Sequence, residues 1–511
     1  MSREVRVRFA PSPTGALHIG GVRTALYNYL FAKNQGGKFL LRIEDTDQTR
    51  YVEGAEEYIK SSLEWLGIVP DESPWNPGEV GPYRQSDRKP MYMQYAQKLV
   101  DEGHAYYAFD TPDELTEMRE RLKAARVASP QYNSITRMSM KNSLTLPEDE
   151  VKRKMDAGEA YVIRLKVPRK EEIRLNDMVR GWVMVHSSAI DDKVIMKSDG
   201  MPTYHLANVV DDYLMKITHV IRGEEWLPSA PLHVLLYKYL GWENEMPQFA
   251  HLPLILKPDG KGKLSKRAAD QLGFPVFPLD WIDPETKNLS KGYKESGFLK
   301  GAVINFLSLL GWNPGTHEEL FTLAELEKEF SVARIGKSGA RFDFDKVKWF
   351  NQQYLRQQTD VELAQYLLDD LKGQECSAKK AEIIAGLLKE RITFPTELIT
   401  EAKYFFDAPS EYDSKTVKKK WTTDAVAVFS DYAEEILNMG NFTEYTIKEK
   451  LVEVLEKHGV GLGKVMQALR VAVSGQGSGP DLMPVLELIG KKEVSARLKK
   501  AIEVLPVKAQ A

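Results

Sequence analysis

The stretch PSPTGALHIGG, residues Pro11 to Gly21, decides the fold. It follows an alternating apolar and charged run over residues 5 to 9, which is typical of a β-strand. Residues 22 to 35 then carry apolar side chains at helical spacing. The motif therefore lies where a strand gives way to a helix N-terminus, and free backbone N–H groups and the helix dipole favour an anion there. The sequence predicts a phosphate site.

A second motif, KLSKR (Lys263 to Arg267), follows in a loop that also contains Gly260 and Gly262. Its two lysines suit a mobile arm that places ammonium groups on a triphosphate. In the first motif, His18 can donate a hydrogen bond to a phosphate oxygen as charge builds there. Taken alone, the first motif is better explained by a functionless turn histidine and the second by a solvated basic loop. Together they predict one nucleotide site.

Composition narrows the class of protein. The chain has 511 residues, enough for three or more domains, and a net charge of only -3 from 70 Lys+Arg and 73 Asp+Glu. Any polyanion must therefore be held by local patches. The single cysteine, Cys376, excludes an intrachain disulfide and argues against a thiolate zinc site. The N-terminus has no apolar signal core and no apolar run is long enough to span a bilayer, so we expect a cytoplasmic protein.

The predicted secondary structure changes several times along the chain. The predicted division is 1–100, a Rossmann-like half of a parallel α/β sheet; 101–200, an inserted α+β module; 201–260, the second half of the sheet; 261–344, the KLSKR loop with an extended connection; and 345–511, a helical region. Within the fourth segment, Gln271 to Ser296 has no clear period and is interpreted as an insertion of unknown role. In the last segment, Thr443 or Thr446 can cap a helix that Gly459 ends.

The two motifs resemble the HIGH and KMSKS signatures of class I aminoacyl-tRNA synthetases. Further stretches are similar to bacterial-type glutamyl-tRNA synthetases: RIEDTD (Arg42 to Asp47), GPYRQSDR (Gly81 to Arg88), PTYHLANVVDD (Pro202 to Asp212), VIRGEEW (Val220 to Trp226), ARFDFDKVKWFN (Ala340 to Asn351) and GLGKVMQALRVAVSG (Gly461 to Gly475). So many matches in order cover nearly the whole chain.

This resemblance implies an α/β fold in which a Rossmann-like parallel-sheet catalytic domain is split by an inserted acceptor-binding module. A stem-contact region and an all-α C-terminal anticodon-binding region would follow. The implied reaction is ATP-dependent activation of L-glutamate to glutamyl-adenylate, then transfer to the 3′ end of tRNA(Glu). The resemblance also implies that activation needs bound tRNA, and that Mg²⁺ is held mostly through the triphosphate. It leaves tRNA(Gln) open as a second substrate. We expect a monomer.

The resemblance also assigns residues. The implied catalytic residues are His18, Lys263 and Lys266, and the implied ATP contacts are His18, Gly20, Glu225, Trp226 and Lys266. The implied glutamate pocket comprises Arg8, Ala10, Ser12, Glu44, Tyr204, Asn208 and Arg222. An arginine offers a carboxylate a planar, two-pronged partner, and Glu44 can meet the substrate's ammonium group. For each pocket residue the alternative is a structural ion pair or a core contact.

For RNA, Arg391 is a candidate for reading an anticodon base. The stretch KTVKKKW (Lys415 to Trp421) offers lysines for phosphates and Trp421 for stacking on a base, with Trp421 in the core as the alternative.

The sequence departs from the family pattern in three places. Gly21 stands where the class has a second histidine, the lysine motif reads KLSKR, and AYYAFD (Ala105 to Asp110) has no thiol where some relatives bind zinc. We therefore predict no zinc. A shortened relative that glutamylates a tRNA base would lack the helical region, and coenzyme-building nucleotidyltransferases are far smaller. A non-catalytic scaffold would be expected to lose His18 or the KLSKR lysines, and this chain keeps them.

Overall fold

The structure is a computed structural model and describes residues 3–371 and 376–507. The chain forms two compact units, Met1–Phe350 and Asn351–Ala511. None of the helices in the described ranges is both long and apolar enough to cross a membrane.

The strands of the first unit, in chain order, are β1 (Arg6–Phe9), β2 (Lys38–Leu41), β3 (Ala105–Ala108), β4 (Val162–Leu165), β5 (Glu172–Asp177), β6 (Gly181–His186), β7 (Val194–Met196), β8 (His219–Gly223), β9 (Gln248–Leu252), β10 (Ile255–Leu256), β11 (Trp281–Ile282), β12 (Leu289–Ser290) and β13 (Ala340–Arg341). Its helices are α1 (Ile19–Asn34), α2 (Ala55–Leu66), α3 (Lys89–Asp101), α4 (Pro112–Ala124), α5 (Glu148–Asp156), α6 (Tyr204–Leu214), α7 (Ala230–Leu240), α8 (Lys266–Leu272), α9 (Lys300–Leu309) and α10 (Leu323–Glu329), with α11 (Phe344–Gln357) crossing the boundary at residue 350.

The central sheet has six strands in the order β2-β1-β8-β9-β5-β6. Its first five strands are parallel, and β6 closes the edge as an antiparallel partner of β5. The β5–β6 hairpin differs from expectation, because residues 172–186 fall in the segment interpreted as the inserted module. Ile173 and Leu175 alternate with exposed residues along β5 and pack into the same core as Phe249 of β9. The burial of this apolar face holds the hairpin against the central sheet.

Strand β1 is buried along its whole length, although its sequence alternates between apolar and charged residues. A central parallel strand has both faces covered, so its arginines need internal partners. Arg6 pairs with Glu72 at 2.9 Å, and Arg8 pairs with Asp212 at 3.0 Å. The charged positions therefore carry structural ion pairs inside the sheet layer.

The glycine motif leads directly into a helix, as predicted, but α1 begins at Ile19, inside the motif. The segment 271–296 is more ordered than the extended connection we expected. It follows the short helix α8, contains the β11–β12 hairpin, and buries Phe277 and Trp281. The backbone N–H of Ile19 donates to the carbonyl of Val276 at 2.9 Å, so this segment packs against the start of α1.

A small antiparallel sheet, β3-β4-β7, lies within residues 101–200. Asp192 is buried beside it, and accepts hydrogen bonds from the hydroxyl of Tyr106 at 2.6 Å and from Arg137 at 2.9 Å. Burial raises the pKa of Asp192 to about 6 despite these donors.

The described part of the second unit contains helices and turns: α12 (Asp360–Asp370), α13 (Ala378–Leu388), α14 (Glu397–Ala402), α15 (Ser414–Lys420), α16 (Thr423–Glu435), α17 (Glu444–His458), α18 (Leu462–Ser474), α19 (Leu482–Ile489) and α20 (Lys491–Val504). Thr443 caps α17 and Gly459 ends it with a φ of 64°, as the sequence predicts. The mixed parallel sheet and the helical C-terminal region confirm the predicted fold class.

Candidate active site

The carboxyl ends of β1 and β8 meet beside the N-terminus of α1. In a parallel sheet this edge is where ligands bind. A cavity of about 250 Å³ opens there. It brings together all seven residues of the predicted glutamate pocket: Arg8, Ala10, Ser12, Glu44, Tyr204, Asn208 and Arg222.

Arg222 is the main positive charge of this cavity. Its side chain is 5% exposed and its partners are neutral: Nη1 donates to the Tyr204 hydroxyl at 2.8 Å and Nε donates to Nε2 of His251 at 3.0 Å. Burial lowers the pKa of Arg222, because a buried cation lacks solvation. Among residues 3–371 and 376–507 it forms no ion pair, so the cavity contains a buried cation that lacks a counter-ion.

Arg8 has a different environment. Its Nε and Nη2 both donate to the carboxylate of Asp212, at 3.0 and 3.2 Å. Asp212 is also held by Arg42 at 2.7 Å, and although burial acts to raise its pKa, the two arginines bring the pKa below its ordinary value. The two-pronged face that the sequence analysis offered to a substrate is therefore engaged internally. Only Nη1 of Arg8 remains to reach a ligand.

Glu44 supplies negative charge to the lining of the cavity. Its Oε1 accepts from Arg42 at 2.9 Å and from the amide of Asn208 at 3.2 Å. Its Oε2 has no partner within the described residues. Burial raises the pKa of Tyr204 to about 12, so its hydroxyl stays protonated at neutral pH and can donate. The cavity thus combines a buried cation with a separate carboxylate, a pattern that matches an amino acid bearing a side-chain carboxylate.

A second cavity, of about 380 Å³, lies next to the first. Both are lined by Gly20, Gly21, Thr24, Gly223 and Glu225. The second cavity adds His18, Lys263 and Ser265, whereas Trp226 lines the first cavity and packs on the Tyr204 ring with centroids 4.5 Å apart. The two predicted binding regions are therefore adjacent.

His18 caps α1. Its Nδ1 accepts the backbone N–H of Gly20 at 3.1 Å, which leaves the ring proton on Nε2. Burial, and then the charge of Lys263, lower the pKa of His18 to about 4, so the ring is neutral at physiological pH. Nε2 is buried without a hydrogen-bond partner among the described residues. This unpaired donor beside the second cavity suits a ligand oxygen.

The backbone at this helix start differs from expectation. The sequence predicted free N–H groups for a phosphate, but Ile19 donates to Val276, Gly20 donates to the His18 ring, and Gly21 donates to the His18 carbonyl. The capping side chain and the 271–296 segment satisfy these donors. The positive dipole end of α1 and the Nε2–H of His18 remain for an anion.

The two lysines of KLSKR lie in different places. Nζ of Lys263 contacts Oε1 of Glu225 at 2.9 Å, on the rim of the second cavity. Lys266 is the first residue of α8 and lines neither cavity; its Nζ lies 5.7 Å from the ring centroid of Phe277. The same ring stands 6.1 Å from the His18 ring. Lys266 and His18 therefore both lie near the Phe277 ring.

Sequence reasoning missed four residues at this site: Asp177, His233, His251 and Phe277. His233 lies 3.5 Å from Arg222, and burial lowers its pKa well below the ordinary value. Asp177 binds His251 at 2.6 Å. No spacing in the sequence links them, because they come from separate elements: Asp177 and His251 lie on neighbouring strands, His233 lies on α7, and Phe277 lies in the segment 271–296.

In the second unit, Arg391 is exposed and its Nη2 contacts Ser478 Oγ at 3.3 Å, so it is accessible to a ligand. Trp421 is completely buried, with its ring 5.6 Å from that of Phe429. The prediction that Trp421 stacks on an RNA base is therefore wrong for this structure. Val417 on α15 and Trp421, the residue that follows the end of that helix, are both buried, while Lys415, Lys418 and Lys419 stay exposed.

Across the described ranges, no cluster of three or more His, Cys, Asp or Glu side chains is arranged to hold a metal ion. The donors around the second cavity include the imidazole N–H of His18, the ammonium group of Lys263 and the guanidinium of Arg23. Such donors suit phosphate oxygens.

Comparisons with known proteins agree with this architecture. Residues 4–349 match the family described as tRNA synthetases class I (E and Q), catalytic domain, and residues 352–502 match an anticodon binding domain family. The chain is 62% identical to a glutamate–tRNA ligase of Cytophaga hutchinsonii over 510 residues, covering 99% of each chain. It is 52% identical to a glutamate–tRNA ligase of Bacteroides fragilis over 506 residues, covering 98% of this chain and 99% of the relative.

A solved structure is also similar. The crystal structure of a glutamate tRNA ligase from Elizabethkingia meningosepticum in complex with its amino acid has a TM-score of 0.94 and 50% identity, covering 99% of this chain and all of that chain.

The fold and the two adjacent cavities define a class I aminoacyl-tRNA synthetase, an enzyme that uses ATP. The chain belongs to the family of class I synthetases for glutamate and glutamine.

We predict that Lys266→Ala slows adenylate formation at least about 10-fold at saturating ATP, because a cation that meets the developing pyrophosphate charge is lost. ATP/pyrophosphate exchange measures this rate. Lys261, an exposed lysine of the same loop, is the matched control, and Lys261→Ala should change exchange less than about two-fold. A reduced exchange rate in Lys263→Ala together with a normal exchange rate in Lys266→Ala would contradict the role given to Lys266.

Buried and half-buried histidines predict acid destabilisation. The ring pKa values lie below 6.5 for five of them, chiefly through burial: His18, His205, His219, His233 and His251. Between pH 6.5 and about 4 the unfolded chain binds protons that the folded chain excludes, so the free energy of unfolding falls as pH falls. Each histidine contributes up to about 1.4 kcal/mol per pH unit. Asp192, with its raised pKa, acts in the opposite direction.

Thermal unfolding of the full chain at about pH 7.5 and about pH 5 tests this expectation. The midpoint should fall by about 5 °C or more at the lower pH. A His205→Gln variant should show a smaller fall, since one excluded proton is removed. A midpoint that does not depend on pH over this window would contradict the assignment of neutral, buried rings.

Proposed function

We propose that this enzyme is a glutamate–tRNA ligase in which Arg222 recognises the side-chain carboxylate of L-glutamate. The observation that carries the proposal is the buried guanidinium of Arg222, which has neutral partners and faces a cavity. A bound carboxylate supplies the missing counter-ion. Nη1 of Arg8 and the Tyr204 hydroxyl add donors, and Oε2 of Glu44 accepts from the substrate's ammonium group directly or through water. Ala10, Ser12 and Asn208 complete the wall.

Discrimination against glutamine follows from the same charge. The glutamine side chain ends in a neutral amide, which leaves Arg222 uncompensated and places an NH₂ group against its donors. A site whose buried polar groups remain unpaired rejects the wrong substrate strongly. The energetic cost of burying Arg222 in the free enzyme is thus recovered with glutamate alone.

In the activation step, an oxygen of the glutamate α-carboxylate attacks the α-phosphorus of ATP. The P–O bond to the β-phosphate breaks, and pyrophosphate leaves with the bonding electrons. Gly20, Glu225 and Trp226 lie near the nucleotide, the Nε2–H of His18 donates to a phosphate oxygen, and Lys263 and Lys266 meet the charge that passes to pyrophosphate. Mg²⁺ held by the triphosphate would supply further charge neutralisation.

In the second step a ribose hydroxyl of the terminal adenosine of tRNA(Glu) takes the acyl group and AMP leaves. Residues 1–100 and 201–260 form the catalytic halves, 101–200 meets the acceptor end, 261–344 contacts the stem, and 345–511 reads the anticodon. We further propose that the protein acts as a cytoplasmic monomer without zinc and that glutamate activation needs bound tRNA. tRNA(Gln) is a candidate second substrate.

The proposal is tested by incubating the enzyme with ATP, radiolabelled glutamate and tRNA, and measuring acid-precipitable label. Parallel tRNA is first oxidised with periodate, which destroys the terminal ribose diol. Charging of intact tRNA with loss of charging after oxidation is the expected result. Label that is retained on oxidised tRNA would indicate transfer to a base and would contradict the proposal.

Arg391 is proposed to contact an anticodon base. We predict that Arg391→Gln changes the ratio of kcat/KM for charging tRNA(Glu) relative to tRNA(Gln), because a long cationic donor is replaced by a neutral amide. Glutamate activation in the first unit should keep its KM for glutamate. An unchanged ratio would remove Arg391 from anticodon recognition.

A further inference from the structure

A chain of three buried side chains leads away from the glutamate cavity. Oδ2 of Asp177 lies 2.6 Å from Nδ1 of His251, and Nε2 of His251 lies 3.0 Å from Nε of Arg222. Exposures of 2%, 0% and 5% place all three out of solvent. Asp177 itself lines neither cavity.

These contacts determine where the His251 proton resides. The Nε of arginine always carries hydrogen, so Nε2 of His251 must accept. A neutral imidazole has one donor and one acceptor nitrogen, so its proton is on Nδ1 and is donated to Asp177. Burial lowers the pKa of His251, which keeps the ring neutral.

The carboxylate of Asp177 is itself fixed in orientation. Its Oδ1 accepts backbone N–H groups of Val179 at 3.0 Å, Arg180 at 2.8 Å and His251 at 3.3 Å. Burial acts to raise the pKa of Asp177, but the His251 and backbone donors bring the pKa below its ordinary value. Asp177 is therefore a charged acceptor that cannot rotate without losing three backbone hydrogen bonds.

The sheet explains how these residues meet. Arg222 on β8 stands directly opposite His251 on β9, and Asp177 ends the neighbouring strand β5. On the other side, Arg222 donates through Nη1 to the Tyr204 hydroxyl at 2.8 Å. The guanidinium plane is thus held at Nε by the chain from Asp177 and at Nη1 by Tyr204.

We propose that Asp177 is a positioning residue for glutamate recognition: it fixes the tautomer of His251 and so holds the Arg222 guanidinium toward the substrate. This inference rests on the proposed role of Arg222. If His251 carried its proton on Nε2, two N–H donors would face each other and Arg222 would be displaced. A carboxylate at residue 177 therefore acts on the substrate through two intervening side chains.

The first test is Asp177→Asn. The three backbone donors keep the amide oxygen in the Oδ1 position, so the amide NH₂ faces Nδ1 of His251 and forces the proton onto Nε2. We expect the KM for glutamate to rise at least about 10-fold in exchange assays with saturating tRNA. The KM for ATP should change less than about two-fold. Asp431→Asn, which alters an exposed Asp–His pair 2.9 Å apart in the second unit, is the matched control and should leave both values unchanged.

A second variant separates positioning from a purely structural role. His251→Gln presents a carbonyl oxygen to Arg222 that does not depend on the residue at 177. In the His251→Gln background, Asp177→Asn should therefore change the KM for glutamate less than about two-fold. An equal effect of Asp177→Asn in both backgrounds would overturn the proposal, as would an unchanged KM in the otherwise wild-type enzyme.

A spectroscopic readout reports the tautomer of His251 directly, in the wild-type enzyme as well as in the variants. In wild-type enzyme labelled with ¹⁵N in its histidine rings, the His251 resonance, assigned by its loss in His251→Gln or in His251→Asn, should show a protonated Nδ1 and an unprotonated Nε2. In Asp177→Asn the proton should be on Nε2 of His251 and Nδ1 should be unprotonated. A protonated Nε2 in the wild type would overturn the inference. Wild-type charging with glutamate, measured first, keeps a failure here separate from a failure of the proposed function.

Discussion

Replacing Arg222 by glutamine is expected to lower kcat/KM for glutamate by about 1,000-fold, corresponding to about 4 kcal/mol. The substitution leaves the substrate carboxylate buried beside Arg8 alone, whose charge is already paired with Asp212. The lower kcat/KM should arise mainly from a higher KM for glutamate, because Arg222 contacts a part of the substrate that does not react. ATP/pyrophosphate exchange with saturating ATP and tRNA measures it. The preference for glutamate over glutamine should also decrease, since the uncompensated charge is gone.

Two control measurements accompany this prediction. Arg222→Lys keeps a positive charge but loses the planar fork, so its kcat/KM should lie between those of the wild type and Arg222→Gln. The thermal midpoint of Arg222→Gln without substrate should not fall, because a buried cation with neutral partners is removed. A variant that is stable and retains wild-type kcat/KM for glutamate would show that Arg222 does not recognise the carboxylate.

Replacing His18 by alanine is expected to lower the rate of glutamyl-adenylate formation by about 100-fold, as for the loss of one preorganised donor to a developing charge. The buried Nε2–H of His18 has no partner among the described residues, so it is available to the phosphate. The effect should appear in kcat for exchange at saturating ATP and glutamate. It should not depend on pH between about 6 and 8, because the lowered pKa of His18, about 4, keeps the ring neutral there.

His18 also caps α1, so alanine should cost about 1 kcal/mol of stability as well. His18→Asn separates the two roles: its short amide can accept the Gly20 N–H but does not extend as far as the imidazole Nε2. This variant should recover the thermal midpoint while exchange stays slow. Near-normal exchange in both variants would remove His18 from the site.

Sequence patterns predicted those parts of the site that depend on local structure. The glycine motif placed His18 at a helix start. The residues of the glutamate pocket, which are far apart in sequence, were assigned by the family resemblance, and they meet around one cavity. The environment of each charge was not predictable. Arg8 and Arg222 are both arginines on neighbouring parallel strands, yet Arg8 pairs with Asp212 and Arg222 has no counter-ion in the described chain. That difference depends on which carboxylate the fold brings near.

Other features depended on contacts distant in sequence. His251 lies opposite Arg222, and Asp177 lies next to His251, only because β9 lies between β8 and β5 in the sheet. Phe277 lies in a segment without periodicity, and its contact with His18 arises from packing. Trp421 is different, since its spacing from Val417 was a signal for a shared buried face.

We propose that the cavity around Arg222 selects glutamate for activation by ATP. ATP/pyrophosphate exchange with glutamate or with glutamine, each with and without tRNA, tests it most directly. Exchange with glutamate is expected when tRNA is present, and exchange near background is expected with glutamine in either case. Exchange with glutamine and none with glutamate would contradict it.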